Sequence, residues 1–171
     1  MTIRPATHDD LPALLAIYND AVRTLFAIWT EKEDTLDERA AWFDERLAQG
    51  FPVLVATDET GAVMGYATYG TYRSRPGYRL TVEHSIYMAE DARGRGFGAP
   101  LMAALISLAR EEGLHLMIAV IEAGNRGSIR FHERFGFVSG GVLPEAGFKH
   151  GRWLDQVHMY LRLGDGVAPL G

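Results

Sequence analysis

Arg93-Gly94-Arg95-Gly96-Phe97-Gly98 lies between a β-rich run and a helical pattern of apolar residues. Alternating glycines let backbone N–H groups approach an anion closely, and the start of a helix adds about half a positive charge to them. The spacing therefore indicates a cradle for a pyrophosphate, although an ordinary glycine-rich turn explains it equally well. It matches neither the dinucleotide-binding G-x-G-x-x-G nor a P-loop, which would end in Gly-Lys-Ser/Thr.

The apolar spacing around this stretch predicts seven strands and four helices. One helix follows the glycines over 97–112, with Pro100 in its first turn and Gly113 after its end. The other predicted helices are 11–25, 35–47 and 128–135, and the predicted strands are 2–4, 53–57, 63–69, 80–88, 114–121, 137–143 and 155–163. This order indicates a mixed α+β fold with helices packed on one layer of sheet.

Composition narrows the class of protein. The chain has 171 residues, 47% of them hydrophobic and 23% charged, which is enough apolar surface for one core. We expect one domain over 1–163 and a flexible Gly/Pro-rich tail over 164–171. The net charge of −5 disfavours a nucleic-acid partner, because counterion release needs an excess of Lys and Arg. The lack of cysteine, of a signal sequence and of a long apolar run predicts a cytoplasmic protein without a membrane partner.

Arg93, Gly96 and Gly98 match the pattern Gln/Arg-x-x-Gly-x-Gly/Ala position for position. In this motif the chain resembles the GNAT superfamily of N-acetyltransferases, and the likeness extends over nearly the whole chain. It is most similar to the branch that acetylates phosphinothricin and methionine sulfoximine or methionine sulfone, through residues 72–78, 81–87, 128–133 and 151–153. The resemblance implies a GNAT-like α+β fold, in which a mixed, mostly antiparallel seven-stranded sheet carries helices on both faces. It also implies acetyl-CoA as the acetyl donor and a homodimer.

The resemblance further implies a set of residues that hold acetyl-CoA. The strand before the glycines would pair its backbone with the pantetheine arm, the glycine loop would hold the pyrophosphate, and the start of the fourth helix would touch the pantetheine. Capping of that helix explains its Asn and Ser equally well. The implied residues are Ile86, Tyr87, Met88, Arg93, Gly94, Arg95, Gly96, Phe97, Gly98, Ala99, Asn125 and Ser128.

Glu83, on the strand that leads to this loop, is the candidate general base and would act through a water molecule. Val82 and Ile86 flank it, so its carboxylate would be partly desolvated and its pKa raised toward a useful range. The alternative is a structural salt bridge with an arginine from the preceding segment, namely Arg73, Arg75 or Arg79.

Two residues compete as the donor of a proton to the departing thiolate. Many superfamily members place a tyrosine in the fourth helix, where this chain has His132. An imidazole can donate a proton near neutral pH, so His132 is a candidate acid or a contact to CoA. Tyr87 is the other candidate donor, and its alternative role is packing between the sheet and the helices.

Arg73 and Arg75 share parity, so in an extended segment their side chains point to the same side. Two guanidiniums suit a carboxylate, and the resemblance makes them the clamp for the acceptor; a solvated loop is the alternative. The implied acceptor site also includes Ser74, Glu83, His84 and Ser85. Phe26, Ile28 and Trp29 would form an apolar wall of this site, and packing in the core explains them equally well. No His pair has ligand spacing, so we expect no metal.

The predicted function is acetyl-CoA-dependent N-acetylation of the α-amine of a small carboxylate-bearing amino acid or analogue. Phosphinothricin, methionine sulfoximine and methionine sulfone are acceptors of this type. Direct transfer is expected, because the chain has no cysteine and no recognisable Ser-His-Asp set. The alternatives are acetylation of protein N-termini or polyamines, and a non-catalytic acyl-CoA-binding regulatory module.

Overall fold

A computed structural model describes residues 1–164 of the chain. The predicted tail over 164–171 lies, apart from Gly164, outside the described residues. Within them the helices are α1 (Leu11–Thr24), α2 (Leu36–Ala48), α3 (Gly98–Glu111) and α4 (Arg126–Glu133). The strands are β1 (Thr2–Pro5), β2 (Val53–Thr57), β3 (Val63–Thr71), β4 (Thr81–Met88), β5 (Leu116–Glu122), β6 (Val138–Lys149) and β7 (Arg152–Arg162).

The seven strands form one sheet in the order β1-β2-β3-β4-β5-β7-β6. Every neighbouring pair is antiparallel except β4 and β5, which are parallel. The predicted α+β class and the mostly antiparallel seven-stranded sheet are therefore confirmed. Over residues 1–164, no helix combines the length and the apolar character needed to cross a membrane.

Helices cover both faces of the sheet, because alternate strand residues point to opposite sides. On one face, Val55 belongs to the cluster that contains Leu14 of α1 and Phe43 of α2. On the other face, Leu54 belongs to the cluster built on Leu101 and its neighbours in α3. The two faces therefore carry different helices, with α1 and α2 on the first and α3 on the second.

The last two strands extend further toward each other than the sequence pattern predicts. The predicted ranges of 137–143 and 155–163 missed a long hairpin, because Pro144 and Gly147 argue against a strand. A register shift between Leu143 and Gly147 accommodates these residues without ending the pairing. The strands are joined by His150 and Gly151, whose φ angles of 47° and 76° fit a two-residue hairpin turn with two positive φ values.

The end of this hairpin holds the segment that follows α1. The Lys149 ammonium is buried and donates to the carbonyl oxygens of Val22, Leu25 and Ile28 at 2.6, 2.6 and 2.8 Å. The Val22 and Leu25 carbonyls lie at the end of α1, where helix carbonyls lack partners within the helix, and the Ile28 carbonyl lies three residues further on. We call residues 25–29 the exit loop. A Cβ atom on Gly147 would lie 2.0 Å from the indole of Trp29, so the hairpin also packs closely under this loop.

Candidate active site

The parallel strands β4 and β5 separate along their length. Their Cα partners run from Thr81 with Leu116 to Glu83 with Ile118. Beyond these pairs the two strands line opposite sides of a cavity, which β4 borders from His84 to Tyr87 and β5 from Ala119 to Glu122. The backbone groups at the end of β4 are thereby available to a ligand that lies between the strands.

A cleft of about 700 Å³ starts at this gap and extends over the beginnings of α3 and α4. Gly94 and Gly96 have φ angles of 76° and 91°, and a Cβ atom on either would meet nothing within 4 Å. Phe97, the residue before α3, offers no side-chain cap to the first turn of that helix. The exposed backbone of the loop and the positive end of α3 together fit a pyrophosphate.

Two smaller cavities continue from the cleft. The inner cavity has a volume of about 70 Å³ and lies between β4, β5 and α4. The side cavity, of about 200 Å³, lies on the α1 and α2 face of the sheet and is lined by Ala27, Trp29, Glu83, His84, Ser85, Tyr87, Val120, Glu122 and Gln156. Ala27 of the exit loop and Tyr87 line all three spaces. A molecule in the side cavity would therefore meet one in the cleft at the inner cavity.

Residues 14–137, which include the glycine loop and both sides of the gap, match the model of the acetyltransferase (GNAT) family. This chain belongs to the GNAT family of acetyltransferases. The predicted family is therefore confirmed. The glycine loop carries the motif on which that prediction rested, with Arg93, Gly96 and Gly98 at its defining positions.

Relatives of this GNAT chain are similar over nearly their whole length. The L-methionine sulfoximine/L-methionine sulfone acetyltransferase of Pseudomonas paraeruginosa is 53% identical over 162 residues, which are 95% of this chain and 94% of that one. A GNAT superfamily phosphinothricin acetyltransferase from Sinorhizobium meliloti, solved with acetyl-CoA, superimposes with a TM-score of 0.93 at 39% identity, covering 98% of this chain and 95% of that one. A ribosomal-protein-alanine N-acetyltransferase from Brucella melitensis has a TM-score of 0.93 at 51% identity, with 95% and 99% covered.

Most of the residues predicted to hold acetyl-CoA line the cleft of this GNAT chain. They are Ile86, Tyr87, Met88, Arg93, Gly94, Gly96, Gly98, Ala99, Asn125 and Ser128. Phe97 instead belongs to the core, and the exposed Arg95 lies over its ring at 5.6 Å. Arg93 forms an ion pair with Asp20 of α1, which ties the loop to that helix. Asn125 accepts a hydrogen bond from the Ser128 N–H at 3.0 Å, so it caps α4 and lines the cleft at once.

Glu83 lines the side cavity. Burial raises the pKa of its carboxyl group, and the positive charges of His158 and Arg46 partly oppose that shift. Among the described residues it makes no ion pair with Arg73, Arg75 or Arg79, so the alternative role of a salt bridge is not realised.

His84 and His132 form a buried pair on the other face of β4. The His132 Nδ1–H donates to the Ser128 carbonyl oxygen at 2.7 Å, which leaves Nε2 as an acceptor. The His84 Nε2–H donates to that atom across 3.1 Å. Burial lowers the pKa of both rings, that of His84 to about 3. With both rings neutral and both His132 nitrogens engaged, His132 has no N–H left for a thiolate.

Tyr87 has a hydroxyl group that can donate a proton, whereas His132 has no free N–H. It lines the cleft, the inner cavity and the side cavity. Burial raises the pKa of its phenol, so the hydroxyl stays protonated at neutral pH and can donate. Its position at the meeting point of the three spaces favours it over His132 as the proton donor.

The predicted acceptor residues divide into two groups. Glu83, His84 and Ser85 line the side cavity, whereas Phe26, Arg73, Ser74 and Arg75 do not. Arg73 is exposed and stacks on the rings of Tyr72 and Tyr78 at 5.2 and 6.0 Å. Phe26 packs against the Arg152 guanidinium at 4.6 Å.

Sequence reasoning missed four residues that line the side cavity: Ala27, Val120, Glu122 and Gln156. Glu122 and Gln156 are Cα partners on β5 and β7, and the one available signal was that each is a polar residue in an apolar strand. Within residues 1–164, no three His, Cys, Asp or Glu side chains are arranged to bind a metal ion.

Proposed function

We propose that this GNAT enzyme transfers the acetyl group of acetyl-CoA directly to the α-amine of a small carboxylate-bearing amino acid. Methionine sulfone, methionine sulfoximine and phosphinothricin are the acceptors that the names of its relatives suggest. The observation that carries the proposal is that the side cavity and the large cleft share Ala27 and Tyr87 as walls. An amine in the side cavity would thus be close to the end of a pantetheine arm in the cleft.

The residues of the cleft fit the donor in charge and shape. The glycine loop and the start of α3 would hold the pyrophosphate, and the end of β4 would pair with the pantetheine, from Ile86 to Met88. When bound, acetyl-CoA supplies an activated acetyl group as a thioester. The fit rests on the open backbone at Gly94 and Gly96.

Two side chains that line the side cavity would handle the protons. Glu83, with its raised pKa, would take a proton from the acceptor amine through a water molecule. Tyr87 would donate a proton to the departing sulfur. His132 and His84 would hold β4 against α4, which keeps Tyr87 and Ser128 on opposite walls of the cavity. Preorganised backbone groups would contribute much of the rate by orientation.

We further propose that residues 1–163 act as one acetyltransferase domain in a cytoplasmic homodimer, with no metal and with no nucleic-acid or membrane partner. The outer strand β6 exposes Val142, Leu143 and Phe148, and its neighbour β7 exposes Trp153. Apolar side chains on an edge strand invite pairing with another chain. A second copy of the protein would cover them.

Acetylation of a protein N-terminus is the second candidate, because a relative that is 51% identical carries the name of a ribosomal-protein-alanine N-acetyltransferase. Thiol release from acetyl-CoA should be measured with methionine sulfone, methionine sulfoximine, phosphinothricin, an alanine-initiated peptide and spermidine. Mass spectrometry should identify each acetylated product. Turnover of the free amino acids alone supports the proposal. Turnover of the peptide or the polyamine alone would replace it, and binding of acetyl-CoA without turnover would indicate a regulatory module.

A further inference from the structure

The Gln156 side-chain amide is held in one orientation at the side cavity. The His158 Nε2–H donates to Gln156 Oε1 at 3.0 Å, since an oxygen can only accept. The acceptor atom of the amide is therefore engaged inside the protein. Its NH₂ group makes no hydrogen bond to the described residues, and Gln156 lines the cavity. This arrangement leaves two N–H donors for a molecule bound there.

The position of Gln156 shows which part of an acceptor it would meet. Trp29, Glu83 and Gln156 line the side cavity but not the inner cavity, whereas Ser85, Tyr87 and Glu122 line both. The first three therefore mark the end of the side cavity that is remote from the cleft. The α-amine must lie near the inner cavity to react, so the remote end receives the acceptor's side chain.

The charge of the side cavity restricts that side chain. Its lining includes the carboxylates of Glu83 and Glu122, and among the described residues no Lys or Arg contributes to it. Arg46 and His158, whose charges act on Glu83, are not part of the lining. An anionic group between two carboxylates would be repelled, and removing it from water without a cation is costly. A neutral group with hydrogen-bond-accepting oxygens avoids both effects.

We propose that Gln156 is a specificity-determining residue whose amide N–H groups bind the uncharged, oxygen-bearing end of the acceptor side chain. This inference rests on the proposed function and narrows it. The site is built for a sulfone or sulfoximine, and a phosphinate, which is negatively charged at neutral pH, is a poorer fit. Trp29 supplies the apolar wall beside this group.

The test compares kcat/KM for methionine sulfone, methionine and phosphinothricin in the wild type and in Gln156→Leu. Methionine has the same chain without the oxygens. The ratio of sulfone to methionine should fall about tenfold in the variant, as expected for the loss of one hydrogen bond. The wild type should also prefer the sulfone to phosphinothricin. Gln49→Leu is the matched control, because Gln49 is exposed at the end of α2 and its side chain bonds only to Glu45 among the described residues.

Circular dichroism and the Kd for acetyl-CoA confirm that Gln156→Leu is folded, because Gln156 does not line the cleft. An unchanged sulfone-to-methionine ratio, or a wild type that prefers phosphinothricin, would overturn the role of Gln156 while the proposed function stands. If the wild type acetylates no amino acid at all, the proposed function fails and this inference fails with it.

Discussion

The Nε2 atoms of His84 and His132 lie 3.1 Å apart, inside a contact between β4 and α4 that excludes solvent. Burial disfavours a charge on either ring, and the neighbouring imidazole adds to this effect at His84. The pair therefore resists protonation, and the pKa of His84 falls to about 3 from an ordinary value of 6.5.

This pair predicts a loss of stability in mild acid. Between pH 6.5 and 3 the unfolded chain takes up a proton on His84 that the folded chain does not, so acid favours unfolding. Below pH 6 the free energy of unfolding should fall by about 1.4 kcal/mol per pH unit for this residue. Urea titrations at pH 7, 6 and 5 measure the slope. His84→Gln cannot titrate and should flatten it, while the exposed His8→Gln should not; equal slopes in all three proteins would refute the assignment.

Gly96→Asp should weaken acetyl-CoA binding on the order of 10²-fold, because it places a carboxylate where the loop backbone would meet the pyrophosphate. Isothermal titration calorimetry gives the Kd. Gly61→Asp is a close control: Gly61 has a φ of 89° against 91° at Gly96, and both have open space where a Cβ atom would lie, but Gly61 belongs to the β2–β3 turn. Similar Kd values for both variants would show that the pyrophosphate does not bind at the glycine loop.

Glu83→Gln keeps the shape of the side chain and removes its affinity for a proton. The value of kcat should fall by about 10² to 10⁴. Burial raises the pKa of Glu83 above its ordinary value of 4.5. The acid limb of the wild-type pH–rate profile should therefore have its midpoint above pH 4.5, and this limb should be absent in the variant. The Kd for acetyl-CoA should stay constant, since Glu83 does not line the cleft. A variant with wild-type kcat and an unaltered pH profile would make Glu83 structural.

Arg73→Ala and Arg75→Ala should raise the KM for a free amino acid if these residues clamp its carboxylate. Loss of one charge-assisted pair costs about 1.5 to 3 kcal/mol, or roughly ten- to 100-fold in KM. The methyl ester of the acceptor lacks the anion and should be nearly insensitive to either change. Both arginines lie outside the side-cavity lining. Equal losses with the acid and its ester would assign them to the fold.

Lys149→Met should destabilise the protein by about 2–4 kcal/mol, because three carbonyl oxygens at the end of α1 and in the exit loop lose a charged donor. The released exit loop should also change the fluorescence of Trp29, and the change should disappear in a Trp29→Phe background. Urea unfolding and emission spectra give both results. Lys32→Met removes a lysine that is largely exposed and should leave stability and emission unchanged. A stable Lys149→Met protein with normal emission would contradict this role.

Local features of the fold were predictable from the sequence. The glycine loop and the start of α3 occupy neighbouring positions in the chain, so their geometry is set by a few residues. The same holds for the cap of α2, where Thr35 and Glu38 exchange hydrogen bonds at 3.2 and 2.8 Å. Such contacts need no knowledge of distant partners.

The side cavity was predicted only in part, because distant strands build it. Glu122 and Gln156 meet through the register of β5 with β7, which no spacing in the sequence reveals. Ala27 and Trp29 of the exit loop line the side cavity, and Lys149 holds that loop in place. The sequence gives no sign that Lys149 is buried. The length of β6 was missed because a bulge lets a strand continue past Pro144.

The hydrogen bonds of Lys149 also bear on the order in which parts of the chain fold during synthesis. Its partners Val22 and Ile28 precede it by 127 and 121 positions in a chain of 171 residues, so this contact joins distant parts of the sequence. During synthesis the N-terminal segments leave the ribosome first. The glycine loop can form while the C-terminal hairpin is still absent, whereas the exit loop has no anchor until residue 149 emerges. Because Leu25 and Ala27 of this loop line the cleft and Ala27 and Trp29 line the side cavity, neither space should take its final shape until the C-terminal hairpin has formed.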